Sequence, residues 1–341
     1  MSPAELAAAL KKRALEDGAD LAGIAAAGPS PGSAAYDEWV SKGMNATMDY
    51  LARNMSSRHD IRAWFPPARS VLMCGFSYGQ SSTPARTTAG SGRLARYAVR
   101  EDYHPLLKAK MSSLLDWLRT IVPDVHGLPF CDTSPLLERS YALSAGLGWQ
   151  GKSAMMIAPR LGTYFLIAGL ALDLELPQDT ASRDHCGSCR LCLDACPTDA
   201  FAGPRVLDAA KCVAYLTIEN RGPVPEALRP GVGDRVFGCD ICQEVCPWNR
   251  FEKPGRLLPE PREPLDIPLE ELAALDAAAF RSRFRDLPVS RAKRRGLLRN
   301  VLLSMGNSGL ARLRPLLEGF AADPDDMIAE VARWSLARLP G

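Results

Sequence analysis

Seven of the ten cysteines in this 341-residue chain stand in two short runs, Cys186-x2-Cys189-x2-Cys192-x3-Cys196-Pro197 and Cys239-x2-Cys242-x3-Cys246-Pro247. Small ferredoxin modules hold two iron-sulfur clusters with this spacing: the first three cysteines of one run bind one cluster, and the fourth, followed by Pro, reaches the other. The second run should open with a cysteine at 236, where Val236 stands instead. Cys212 is the only cysteine between the runs, and Asp208 to Ile218 reads as a short helix that can present it. The spacing therefore predicts one 4Fe-4S cluster on Cys186, Cys189, Cys192 and Cys246. A second falls on Cys196, Cys212, Cys239 and Cys242. Such a chain moves electrons.

Zinc also takes four thiolates and favours Cys-x2-Cys knuckles, but three cysteines at x2 intervals followed by x3 and Cys-Pro suit a cubane better. A disulfide framework is weaker still, because the run is too crowded for unstrained bridges. No basic n-region with an apolar h-region opens the chain, so the expected location is the cytoplasm. The longest apolar stretch, Tyr164 to Leu172, suits a buried strand and is too short for a membrane helix. A net charge of +2 with 47% hydrophobic residues describes a soluble globular chain of two or three domains and names no partner by itself. Its distribution is more informative. Arg281 to Arg299 holds eight basic side chains against the single acid Asp286, so that segment suits either phosphates or a solvated helix face.

Ser2-Pro3-Ala4-Glu5 is a capping box that opens a first helix. Asp20 to Ala25, Ser70 to Tyr78 and Tyr164 to Leu174 read as strands, and Leu106 to Val122 repeats apolar residues at helical spacing. Strands alternating with helices point to an α/β or α+β domain over residues 1–175. The ferredoxin-like two-cluster module follows at 176–253. Five prolines between Pro254 and Pro268 then make an extended linker into an all-α unit at 254–341. There, Leu302-Leu303-Ser304-Met305-Gly306 is echoed by Arg333-Trp334-Ser335-Leu336-Ala337, a HEAT-like helical repeat by pattern.

Ala145-Gly146-Leu147-Gly148-Trp149-Gln150-Gly151-Lys152 is a glycine-rich loop of the kind that lets backbone approach a large ligand. Its Gly-x-Gly-x-x-Gly spacing matches the dinucleotide fingerprint, yet helix-like sequence precedes it and no helix follows, which argues against nicotinamide binding. Cys74 and Cys131 read as small buried apolar residues. Asp102-Tyr103-His104-Pro105 reads as a helix start, and the four histidines have no metal-ligand spacing.

These residues together give the chain its resemblance to the epoxyqueuosine reductase family. It rests on Cys131-Asp132-Thr133 with the glycine loop, on Gly238-Cys239-Asp240-Ile241-Cys242-Gln243 with Cys246-Pro247-Trp248-Asn249, on Asp102-Tyr103-His104, and on the helical tail. The resemblance implies a base-off cobalamin held between the first domain and the cluster module. It also implies conversion of epoxyqueuosine at the tRNA wobble position to queuosine, with two electrons and two protons taken up. Reduced ferredoxin or flavodoxin is the implied donor, and a monomer is expected.

Opening an epoxide leaves an alkoxide, so a general acid is needed. Asp132 is the candidate proton donor, provided that burial raises its pKa; the alternative role is a helix cap. The resemblance points to Arg58, Asp132, Met156, Ile167 and Gln243 as cobalamin contacts. Arg291 to Arg299 would meet the anticodon stem. A corrinoid reductive dehalogenase is a competing reading, disfavoured by the missing twin-arginine signal and the helical tail. A non-catalytic electron-transfer protein is another, and leaves Asp132 and the glycine loop without a purpose.

Overall fold

The computed structural model describes residues 1–79 and 88–340. A four-stranded sheet runs in the order Leu21–Ala26, Ser70–Ser77, Phe165–Leu172, Gly127–Phe130, with every neighbouring pair antiparallel. The alternation of helices and strands therefore builds an α+β arrangement rather than parallel crossover units. Every residue of Ser70–Ser77 is buried, because both faces of this central strand are covered. Leu72, Cys74 and Phe76 pack under the helices Pro3–Glu16 and Tyr103–Arg119, while Val71 and Met73 face Tyr141 and Ala142 of the helix Glu138–Ser144. The capping box at Ser2 and Glu5 forms as the sequence implies.

A second, three-stranded sheet joins distant parts of the chain. Ser91–Leu94 lies in its centre, parallel to Arg235–Phe237 and antiparallel to Asp266–Pro268. The proline-rich stretch thus ends as an edge strand, where a missing N–H is tolerated. This sheet continues into one apolar core with the C-terminal helices: Leu94, Val236, Phe237 and Ile267 pack with Leu298, Val301, Leu302 and Val331.

The helices Lys293–Ser308 and Asp326–Leu336 bring the two echoed segments face to face. A Cβ on Gly306 would lie 2.7 Å from Ser335 Cα, and Ser335 Oγ donates to Leu302 O at 2.8 Å. Gly306 and Ser335 are small because two backbones meet here. No helix among the described residues is long and apolar enough to cross a membrane.

Candidate active site and cysteine centres

The two cysteine runs fold alike. Cys192 lies on the four-residue helix Leu191–Asp194 and Cys242 on its counterpart Ile241–Glu244, and these helices pack against each other. Cys212 is the N-terminal cap residue of the helix Val213–Ile218, and Cys246 precedes the turn Pro247–Phe251. Burial pushes the Cys246 thiol up to about 11, and Cys192, Cys186 and Cys189 beside it push the same way. Burial likewise raises Cys239 to about 12, with Cys212 adding to it. Cys242, raised by burial first, feels Cys239 and Cys212, while Cys212 feels Cys196. These couplings link thiols of both runs with Cys212, with Cys242 also feeling Cys192, and no group of three or more His, Cys, Asp or Glu side chains among the described residues is already drawn together to hold a metal ion. Thiols raised by burial and by one another suit a cation-rich cluster, which binds them as thiolates.

Val236 has no part in this. It is fully buried in the strand Arg235–Phe237, where its Cγ1 would lie 2.5 Å from a Cβ placed on Gly92, and its carbonyl accepts from Asn300 at 2.8 Å. The position is committed to core and sheet. Cys212 reaches towards Cys239 and Cys242 from Val213–Ile218, a helix tied to the same loop by Gly238 N–H donating to Thr217 Oγ1 at 2.9 Å.

Asp132 follows the strand Gly127–Phe130 and the buried Cys131. Its φ of 58° lies in the left-handed region, which aspartate adopts only at a cost. Its Oδ2 accepts from Tyr103 Oη at 3.0 Å and lies 2.9 Å from His104 Nε2. His104 Nδ1 in turn lies 2.5 Å from Asp102 Oδ1, and the two aromatic rings are stacked. Asp102 caps the helix Tyr103–Arg119, as the sequence implies, by accepting from His104 N. That cap also aims His104 at Asp132, a role that sequence reasoning missed.

The expectation that burial raises Asp132 is not met. The Asp132 side chain is 63% exposed, and the hydrogen bond from His104 holds the carboxyl below its ordinary range. Burial alone would lower His104, but its bonds to Asp102 and Asp132 raise it to about 9. At neutral pH the proton of this pair therefore rests on the imidazole. Glu138, 8% exposed, is a second carboxyl beside Asp132; burial first, then the Asp132 charge, raises it to about 8. Its Oε1 has no hydrogen-bond partner among the described residues. Tyr50, 44% exposed, and the Arg291 guanidinium lie next to each other and within electrostatic reach of Asp132 at its open side.

The expected cofactor contacts are spread over several elements. Met156 and Ile167 pack into one apolar cluster with Phe130. Gln243 is buried and donates to Thr163 O at 3.0 Å, next to Tyr78. Arg58 is not a free surface charge: its guanidinium donates to Arg53 O and Tyr50 O, both at 3.2 Å.

The glycine loop also departs from expectation. A Cβ on Gly148 would lie 2.1 Å from Ile157 O, and one on Gly151 2.6 Å from Ile157 Cδ1, so these glycines admit the loop's own hairpin, Trp149–Gln150 against Met156–Ile157. Trp149 Nε1 and Tyr164 Oη are buried without hydrogen-bond partners among the described residues. Both sit where the first sheet meets the cysteine module, through Trp149 against Trp248 and through Thr163, whose N–H donates to Asn249 Oδ1. Buried donors without a partner are costly, so these two atoms are candidates to meet an acceptor of a bound group.

Most of the basic run stays exposed at the surface, but several of its side chains are committed to partners within the chain. Arg299 is fully buried and donates to Leu216, Asn220 and Gly222 carbonyls. Arg283 pairs with Glu263 and Glu271, Arg294 donates to Leu275 O, and Arg295 pairs with Asp325. Arg291, bonded to Glu219, remains half exposed at the Asp132 mouth.

A family model described as a 4Fe-4S double cluster binding domain matches residues 185–249, and one described as epoxyqueuosine reductase QueG matches residues 58–133. The chain is 36% identical to the epoxyqueuosine reductase of Xanthomonas campestris pv. campestris over 98% of its own length and 97% of that protein's. With the Pseudomonas aeruginosa enzyme it shares 36% identity, over 98% of this chain and 95% of that one. A crystal structure of an epoxyqueuosine reductase with an epoxyqueuosine-modified tRNA-Tyr stem loop superposes with a TM-score of 0.88 at 27% identity, covering 98% of this chain and 90% of that one. A Bacillus subtilis epoxyqueuosine reductase with its catalytic loop swung out of the active site gives a TM-score of 0.88 at 26% identity, covering 99% and 91%.

Proposed function

This chain belongs to the epoxyqueuosine reductase family and is an oxidoreductase, and from that premise we propose that it reduces epoxyqueuosine at the wobble position of tRNA to queuosine, the last step of queuosine biosynthesis. The observation that carries the reading is the His104–Asp132 contact in the same chain as the two cysteine runs of a 4Fe-4S double cluster domain. One supplies protons and the other electrons. The tRNA stem loop bound to a relative of the same fold supports the substrate class. Reduction breaks both C–O bonds of the epoxide, forms a C=C bond and releases the oxygen as water, taking up two electrons and two protons.

Cys186, Cys189, Cys192 and Cys246 hold one 4Fe-4S cluster in this reading, and Cys196, Cys212, Cys239 and Cys242 the other. Reduced ferredoxin or flavodoxin supplies them one electron at a time. Cobalamin, in its base-off form, supplies a low-potential metal reductant at the substrate. The residues present fit it. Met156 and Ile167 give an apolar wall, Gln243 a polar edge, and Trp149 Nε1 and Tyr164 Oη two unpaired hydrogen-bonding atoms. Arg58 acts at one remove, by holding the Tyr50 backbone.

Asp132 faces the epoxide oxygen and passes it the proton stored on His104, with Asp102 keeping the imidazole ring oriented. Tyr103 fixes the same carboxylate oxygen. The relative solved with its catalytic loop swung out supports reading the strained Asp132 segment as a loop that docks for catalysis. Tyr50 and Arg291 flank the mouth, offering a ring to a nucleobase and a cation to a phosphate. The helical tail is a HEAT-like pair that carries Arg291. The protein acts as a cytoplasmic monomer.

Anaerobic incubation of the reconstituted protein with cobalamin, a reductant and epoxyqueuosine-containing tRNA, followed by nucleoside mass analysis, tests the proposal. Queuosine should appear; its absence from cluster-replete, cobalamin-bound protein would refute the activity.

A further inference from the structure

We infer that Lys152 sets the reduction potential of the cluster on Cys186, Cys189, Cys192 and Cys246, holding it above that of the second cluster; this rests on the ligand sets proposed above. Lys152 closes the glycine loop of the first domain and crosses to the cysteine module. Its Nζ donates to Gly187 O at 2.6 Å and to Cys189 O at 2.9 Å. Both carbonyls belong to the loop that spans the first two ligands. Lys152 is held on neutral carbonyls and forms no ion pair among the described residues, although its charge also reaches Asp184.

Asp184, which accepts from Cys186 N–H at 2.7 Å, pairs with Arg205 and also feels Lys152, Arg190 pairs with Asp194, and Arg183 stands beside Asp184, so the charges around the loop sum to positive. Around Cys239 and Cys242 the charges are closer to balance: Arg235 and Arg93 face Glu244, Arg235 also meets Asp234, and the buried Asp240 accepts from Arg96 N–H.

Reduction adds one negative charge to a cluster, so a fixed cation near it favours the reduced form, most strongly where water is kept out. The Lys152 side is only partly screened from water: His185, Gly187 and Ser188 are exposed, while Trp149 beneath them is 2% exposed and its ring lies 4.7 Å from Trp248 and 5.0 Å from His185. The glycine-loop lysine thus has a use that the loop's own packing does not explain: it carries charge from the catalytic domain to the cluster module.

The test is an EPR-monitored redox titration of full-length reconstituted protein, with iron counted in each variant. Lys152→Gln keeps donors for both carbonyls and removes the charge. The one-electron equilibrium of one cluster should fall by about tenfold or more, about 59 mV, with the other cluster unmoved and Lys152→Arg close to the parent protein. An unmoved potential in Lys152→Gln, or equal shifts in both clusters, would overturn the assignment. So would loss of iron from Lys152→Gln with full occupancy in Lys152→Arg, since Lys152 would then be an anchor of the loop. Failure of the ligand sets themselves reads differently: the unmutated protein would hold fewer than about eight irons or show a single cluster signal.

Discussion

His104 Nε2 lies 2.9 Å from Asp132 Oδ2, and this contact holds the carboxylate ionised while charging an imidazole that would be mostly neutral on its own. Asp132 is held below its ordinary range and His104 is raised to about 9. The pair is a store for one proton at neutral pH, placed on the base and delivered through the acid.

A pH profile follows from that order. His104 is raised above its ordinary value, so its charged form, and the stability it lends, is fully present below about pH 6.5 and is lost as pH rises through about 9. Turnover should fall along the same alkaline limb. In His104→Gln the limb should vanish and kcat drop, while Asp132→Asn should lose on the order of 10²–10⁴ in kcat and retain both clusters and bound corrinoid. An Asp132→Asn enzyme of full activity would remove Asp132 from proton donation.

Cys212→Ser should lower bound iron from about eight to about four per chain and leave one cluster signal in EPR spectra. Adding Val236→Cys should not rescue it, because position 236 is enclosed between Gly92 and the C-terminal core. Restoration of the second signal by the double variant would contradict this account of the missing ligand.

Arg299 and Arg285 belong to one basic run but to different environments. Arg299 is fully buried against three backbone carbonyls, whereas the Arg285 side chain is 79% exposed. Urea titration should show Arg299→Ala less stable by about 3 kcal/mol, since charged hydrogen bonds are lost and buried acceptors left unpaired. Arg285→Ala should stay within about 0.5 kcal/mol of the parent protein.

Binding of an anticodon stem loop should separate the same run again. Arg291→Ala should weaken affinity and lower the slope of log affinity against log salt by about one, as for a lost phosphate contact. An Arg294→Ala, Arg295→Ala variant should keep that slope, because those side chains serve Leu275 O and Asp325. The opposite ranking would move the RNA path away from the Asp132 mouth.

Local rules made much of this protein legible in its sequence. Thiolate spacing pointed to the 4Fe-4S double cluster domain that the family model matches over residues 185–249, because cluster geometry restricts how cysteines are spaced. The capping box, the helical repeat of Leu107 to Leu118 and the apolar strands follow from hydrogen-bonding and burial periodicities that act over a few residues. The family resemblance joined these parts to an activity.

What tertiary structure decided is where contacts join residues far apart in the chain. A capping motif does not say that His104 meets Asp132 28 residues away, nor which partner keeps the proton, since that depends on the sum of hydrogen bonds and burial at one carboxylate. A run of arginines does not say that Arg299 is spent on carbonyls 77 to 83 residues away while Arg291 opens beside Asp132. The glycines of the loop look like room for a ligand until Ile157 is found filling it. Charge and close packing act through space, and only the folded chain fixes those distances.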